Sequence, residues 1–146
     1  MSHEVTALGA GKLGAAFVAR WAAAERPVRV WNRSSERAQA LAAESAPAQV
    51  VAVDGLTDAV AGVPLVVSLL TNGAAIVDVL VDQGAIAAMA PGTTLVDFST
   101  VDVASSERVA EEAVAHGVHY MRGGVSGTAA VVRAGGAGLL LSGPPE

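Results

Sequence analysis

The chain has no cysteine, so it can form neither disulfides nor thiolate metal sites, and this usage fits a cytoplasmic protein. Its three histidines, His3, His116 and His119, read as surface or capping residues rather than metal ligands. Charge is sparse: 16% of the 146 residues are charged, the formal net charge is −5, and Lys12 is the single lysine. Aromatic residues make up 3%, and with no basic patch beside them nothing argues for nucleic acid. Long hydrophobic runs are lacking as well, because Asp78, Asp82 and Asp97 interrupt the apolar segments before they could span a bilayer. The opening "MSHEV" has no basic segment followed by an apolar one, as a signal peptide would.

What the chain does have is small and apolar. Hydrophobic residues are 52% of the total, in a length that suits one domain with one core. That composition fits a parallel sheet covered by helices on both faces, and equally a fragment that has lost a partner surface.

Strand and helix patterns alternate along the chain. Strands are expected at 4–8, 27–31, 48–53, 64–70, 94–98, 118–121 and 137–143. Between them, helical spacing or caps predict helices from the glycine loop to about Ala24, then at 34–44, 56–62, 74–89 (broken near Gly84) and 102–115. Ser34 or Ser35, Thr57, and Asp102 or Ser99 are the expected caps. The alternation predicts an α/β fold, Rossmann-like and doubly wound, with a mostly parallel sheet and right-handed crossovers.

The first chemistry lies at Gly9-Ala10-Gly11-Lys12-Leu13-Gly14, a G-x-G-x-x-G pattern between a predicted strand and a predicted helix. In a dinucleotide site Gly9 permits the turn, Gly11 lets a pyrophosphate approach the backbone, and Gly14 allows close helix–sheet packing. The helix start offers free N–H groups to phosphate. Lys12 either adds charge there or points to solvent. No Gly-Lys-Ser/Thr ends the loop, which excludes a P-loop.

The second strand ends "VWNRSSE", with Asn32 where an NAD site carries an acid for the ribose 2′-OH. An uncharged Asn32 leaves room for a 2′-phosphate, which Arg33 can bind through two parallel hydrogen bonds and Ser34 can join. The pattern favours NADP over NAD. Because ligands in such sheets lie across the carboxyl ends of strands, Leu70, Thr71 and Asn72 should follow the cofactor, with Ser99 and Thr100 near its nicotinamide end. Near the end, "VSGTAA" reads either as a compact anion site built from the Ser126 and Thr128 hydroxyls with backbone N–H groups, or as a flexible turn before the last strand.

Taken together, "GAGKLG", "VWNRS", "LLTN", "DFST" and "VSGTAAVVRAGGAGLLLSG" resemble, in order and spacing, the N-terminal domain of the β-hydroxyacid dehydrogenases. That family includes 3-hydroxyisobutyrate dehydrogenase and 6-phosphogluconate dehydrogenase. The resemblance covers essentially the whole chain and implies hydride transfer between NADP(H) and a small 3-hydroxy acid. It implies that Ser126, Gly127 and Thr128 hold the substrate carboxylate. Arg122-Gly123-Gly124 stands where the family often has Asp-Ala-Pro, so this loop is expected to be more flexible than usual.

The family's general acid–base is a lysine on a later helix, followed by an all-helical domain that closes the cleft and makes the dimer. Lys12 belongs to the phosphate loop, so no catalytic residue is assigned here. The expectation is an NADP-binding domain over residues 1–146, without the helical catalytic and dimerisation domain and inactive alone. Imine reductases resemble the same family and are a second enzyme reading. A stand-alone dinucleotide-binding module is a third. The expected partners are a small hydroxy acid and a second copy of the parent enzyme, with neither nucleic acid nor membrane.

Overall fold

The computed structural model describes residues 3–45 and 49–143. Its strands are β1 (Val5–Leu8), β2 (Val28–Trp31), β3 (Val50–Ala52), β4 (Leu65–Ser68), β5 (Thr94–Asp97), β6 (His119–Ser126) and β7 (Gly138–Ser142). Its helices are α1 (Lys12–Ala23), α2 (Ser35–Glu44), α3 (Leu56–Val60), α4 (Gly73–Ile76), α5 (Ala85–Ala88), α6 (Val103–Ala115) and α7 (Ala129–Ala134). The strands form one sheet in the order β3-β2-β1-β4-β5-β6-β7, parallel except for the β6–β7 pair.

Alternation within the strands builds two cores. In β1, Val5 and Ala7 face α1 and α2, packing with Val18, Ala22, Val28, Val30 and Leu41. Leu8 turns to the other face, where Val66, Ile76, Leu80, Ile86, Leu95 and Val109 form the core beneath α3 to α6. Both faces of the central strands are therefore buried, and their sequences read as continuous apolar runs. A third, smaller cluster joins α1 to α7 through Ala16, Phe17 and Val132. Phe17 stacks on Phe98 there, with ring centroids 5.3 Å apart.

The chain runs outward from β1 to β3, then returns to β4 on the other side of β1. Val5 is in register with Val28 on one side and with Leu65 on the other. Strand order thus reverses between β1 and β4, and a crevice opens above their carboxyl ends.

Several local expectations are revised. The predicted third strand begins at Ala48, outside the described residues, and its observed part is Val50–Ala52. The helix predicted over 74–89 is α4, a π-helical turn over Val77–Asp82, and α5, with the break at Gly84 in left-handed conformation (φ 81°). Thr57 lies inside α3, whose cap position is Gly55.

The largest difference lies at the end of the chain. β6 continues through Arg122, Gly123 and Gly124 to Ser126 because β7 pairs with it antiparallel, Gly123 opposite Leu141 and Gly124 opposite Leu140. The expected flexible loop is therefore strand, and Gly123 has a packing reason: a Cβ there would overlap the Phe98 ring. α7 was not expected. Thr128 starts it and Gly135 (φ 80°) stops it, both ordinary helix signals, but glycine-rich flanks and two valines in six residues obscure the periodicity.

Candidate dinucleotide site

The glycine loop joins the end of β1 to α1. Gly9 takes φ 120°, and a Cβ on it would run into the Leu69 carbonyl oxygen at the end of β4. A Cβ at Gly14 would run into the Gly9 carbonyl oxygen, so α1 can seat this close to the loop only with glycine there. Gly11 differs from both: nothing lies within 4 Å of its added Cβ, and the space above it is open. Gly11 is also the α1 cap position, without a side-chain cap, and the first turn of α1 carries no acidic residue. The start of α1 therefore presents N–H groups and its positive dipole end to an anion without internal competition.

Asn32 ties this loop to the tip of β2. Its Oδ1 accepts from the Ala10 N–H at 3.0 Å, and its Nδ2 donates to the Ser34 carbonyl at 3.1 Å. Beside it opens a cleft of about 200 Å³, lined by Gly9, Ala10 and Gly11, by Trp31, Asn32, Arg33 and Arg37, and by Leu69, Leu70, Thr71, Ala75 and Val79. Residues predicted from three separate segments thus meet on one cleft. Arg37, in the first turn of α2, was not predicted; its position four residues after Arg33, in the first turn of a predicted helix, was the available signal. Other predicted residues lie outside this lining. Lys12 is exposed in the adjoining concavity with Arg37, Glu44 and Arg133. The Leu13 side chain packs with Phe17 and Val132. Ser34 is exposed at the α2 cap position and makes no side-chain cap bond.

Beyond the cleft the strand ends are held by a buried polar cluster. Asp97, 1% exposed, accepts from Ser68 Oγ at 2.8 Å and from the Ser99 N–H at 3.0 Å through one oxygen. Its other oxygen accepts from the Tyr120 hydroxyl at 3.4 Å. Ser99 Oγ in turn accepts from the Leu70 N–H at 2.8 Å, which fixes the β4 end that lines the cleft. Ser99 therefore supports the wall from behind, while Thr100 is exposed on the loop after it. Burial pushes the Tyr120 hydroxyl above its ordinary pKa, partly offset by its hydrogen bond to Ser106.

Asn72 caps α4, its Oδ1 accepting from the Ala75 N–H at 2.9 Å. α4 abuts the start of α6: a Cβ on Gly73 would overlap Asp102 and Ser105. Asp102 caps α6, and its hydrogen bonds from the Ser105 hydroxyl at 2.7 Å and N–H at 3.0 Å hold its carboxyl below the usual range. Ser126 ends β6, Gly127 takes φ 132°, and Thr128 Oγ1 accepts from the Val131 N–H at 3.4 Å. These three are exposed, and none lines the cleft around Arg33. Among the described residues no cluster of His, Asp or Glu is arranged for a metal, and no helix is long and apolar enough to cross a membrane.

A parallel sheet reversing at β1/β4, with a glycine turn opening onto a helix at that point, defines a Rossmann-type nucleotide-binding domain. More particularly, the chain belongs to the family described as the NAD binding domain of 6-phosphogluconate dehydrogenase, whose profile matches residues 4–146. Over 144 residues it is 28% identical to 3-hydroxyisobutyrate dehydrogenase of Pseudomonas aeruginosa, covering 98% of this chain and 47% of that protein. The solved Mycobacterium tuberculosis 3-hydroxyisobutyrate dehydrogenase with L-serine superposes with a TM-score of 0.87 at 26% identity, over 99% of this chain and 48% of that one. A reductive aminase from Aspergillus terreus in complex with NADPH and ethyl levulinate gives 0.82 at 26% identity, over 100% and 49%. The chain spans about half the length of these relatives.

Proposed function

We propose that this chain is the NADP-binding half of a two-domain oxidoreductase that transfers a hydride between NADP(H) and a small 3-hydroxy acid. The observation that carries the cofactor is the rim of the cleft: Asn32 stands where an NAD site has its acid and accepts from the glycine loop through its side-chain carbonyl, while Arg33 and Arg37 stand beside it. Two guanidinium groups on the cleft lining, with no acid at the end of β2, suit a 2′-phosphate better than a ribose 2′-OH. The open space over Gly11 and the uncapped start of α1 suit the pyrophosphate. Leu70 and Thr71 line the same cleft; Asn72, next along the chain, is assigned to the cofactor's course and Thr100, after β5, to its nicotinamide end, because ligands of such sheets lie across the strands' carboxyl ends.

NADPH, when bound, supplies the hydride. This chain's residues hold and orient the cofactor, and Ser126, Gly127 and Thr128 contribute part of the carboxylate site. The general acid belongs to a following helical domain, so the 146 residues bind cofactor without turnover. A reductive aminase or imine reductase is the second reading, favoured by the likeness to the NADPH-bound fungal enzyme. Assaying a two-domain form for NADPH oxidation with a 3-oxo acid and with a cyclic imine separates the two.

The direct test is titration of the chain with NADPH and NADH, followed by energy transfer from Trp31, which lines the cleft. NADPH is expected to bind clearly more tightly. Arg33→Ala should weaken NADPH about ten- to a hundred-fold, the loss of one charge-assisted contact of ~1.5–3 kcal/mol, and leave NADH nearly unchanged. Equal loss for both overturns the NADP assignment.

A further inference from the structure

The π-helical turn after α4 brings Val79 to the cleft wall opposite β2, and Asp78 lies next to it. Asp78 Oδ2 accepts from Arg33 Nη2 at 3.0 Å and from Gln83 Nε2 at 2.9 Å. The Gln83 N–H also donates to the Asp78 carbonyl at 2.8 Å, so the turn that carries the carboxylate is fixed from below. The pair joins the two walls of the cleft. Its side chains remain 70% and 44% exposed, so it is a solvent-screened contact that a competing anion can displace.

We propose that Asp78 is a specificity-determining residue that acts through Arg33: its carboxylate takes the guanidinium a 2′-phosphate requires, and so limits discrimination between NADP(H) and NAD(H). The inference rests on the reading of Arg33 as the 2′-phosphate contact. A 2′-phosphate must displace Asp78 from Arg33 or share the guanidinium with it, against like-charge repulsion at short range. NAD(H) places no demand on Arg33 and leaves the pair closed. Asp78 thus acts as an internal competitor for one class of dinucleotide only.

The test uses the full chain with four probes: NADPH, NADH, and the adenosine halves 2′,5′-ADP and 5′-AMP. Asp78→Asn should lower the Kd for NADPH and 2′,5′-ADP about two- to five-fold, the range of an exposed ion pair, and the gain should shrink at high salt. NADH and 5′-AMP should shift by less than about 1.5-fold. In an Arg33→Ala background the same substitution should change nothing. Asp78→Ala serves as a second variant, and circular dichroism with a thermal melt confirms that each variant is folded.

If Arg33→Ala removes the NADPH preference but Asp78→Asn leaves 2′,5′-ADP binding unaltered, the role of Asp78 is overturned and that of Arg33 stands. A gain that persists without Arg33 also overturns it, because the effect is then general charge rather than competition for the guanidinium. If Arg33→Ala weakens NADPH and NADH alike, the 2′-phosphate reading fails and the Asp78 inference falls with it.

Discussion

Asn32 ties the glycine loop to the end of β2, and in the proposed reading the same side chain also bears on cofactor choice. Its carbonyl oxygen holds the Ala10 N–H, and its amide holds the Ser34 carbonyl. Asn32→Asp keeps the first bond, loses the second, and places a negative charge where a ribose 2′-OH would donate and a 2′-phosphate would be repelled. The ratio of NADH to NADPH affinity should rise about ten-fold or more, because a charge-assisted hydrogen bond now favours the 2′-OH while like charge opposes the phosphate, and competitive titration measures it. The neighbouring Arg33, which lines the cleft, was readable in the sequence as a candidate 2′-phosphate contact. Its resting partner Asp78 was not, because the two are 45 positions apart and meet only when β2 and the turn after α4 face each other.

At the scale of elements, glycine decides how closely segments approach. Gly9→Ala forces a side chain into left-handed backbone and against the Leu69 carbonyl, and should cost about 2 kcal/mol or more in chemical denaturation, with cofactor binding lost alongside. The α4–α6 contact makes a different prediction. Asp102 is held below its ordinary value of 3.8, so its capping contribution is present above that pH and is lost as pH falls through the lower folded value. Asn caps equally well without a charge. Asp102→Asn should therefore flatten part of the acid limb of a Tm–pH profile, and an unchanged limb would refute the role of this carboxylate. α7 belongs to this scale as well. Its cap and stop were readable as single residues, but its packing against α1 through Val132 and Phe17 was not.

Over the whole molecule, two features lie at opposite ends of burial. Tyr120 packs within the α4–α6 core and reaches Asp97, and burial raises its pKa above 10.0. The unfolded chain ionises first as pH rises through about 10, so stability should fall above that value until the folded state also ionises. Tyr120→Phe should lose the hydrogen bond yet show a shallower alkaline decline in Tm. β7, by contrast, is an edge strand with Leu139, Leu140 and Leu141 at 48%, 75% and 49% exposure. An apolar exposed edge promotes association. Sedimentation velocity should show concentration-dependent self-association that Leu140→Lys reduces, with little change in Tm.

Local patterns in the chain were enough for the fold class, the glycine turn and the end of β4 that borders the cleft. Those features depend on local patterns: apolar runs for buried strands, helical spacing, and glycine where backbone must approach backbone. The extension of β6, the placement of α7, the part taken by Arg37 and the Asp97 cluster were decided by tertiary structure. Each depends on a partner distant in the chain: β7 opposite Gly123, α1 beneath α7, the cleft beside α2, and Ser68 and Tyr120 around one carboxylate. Hydrogen bonds and packing between remote segments leave no periodic trace in a single sequence, so only the folded chain reveals them.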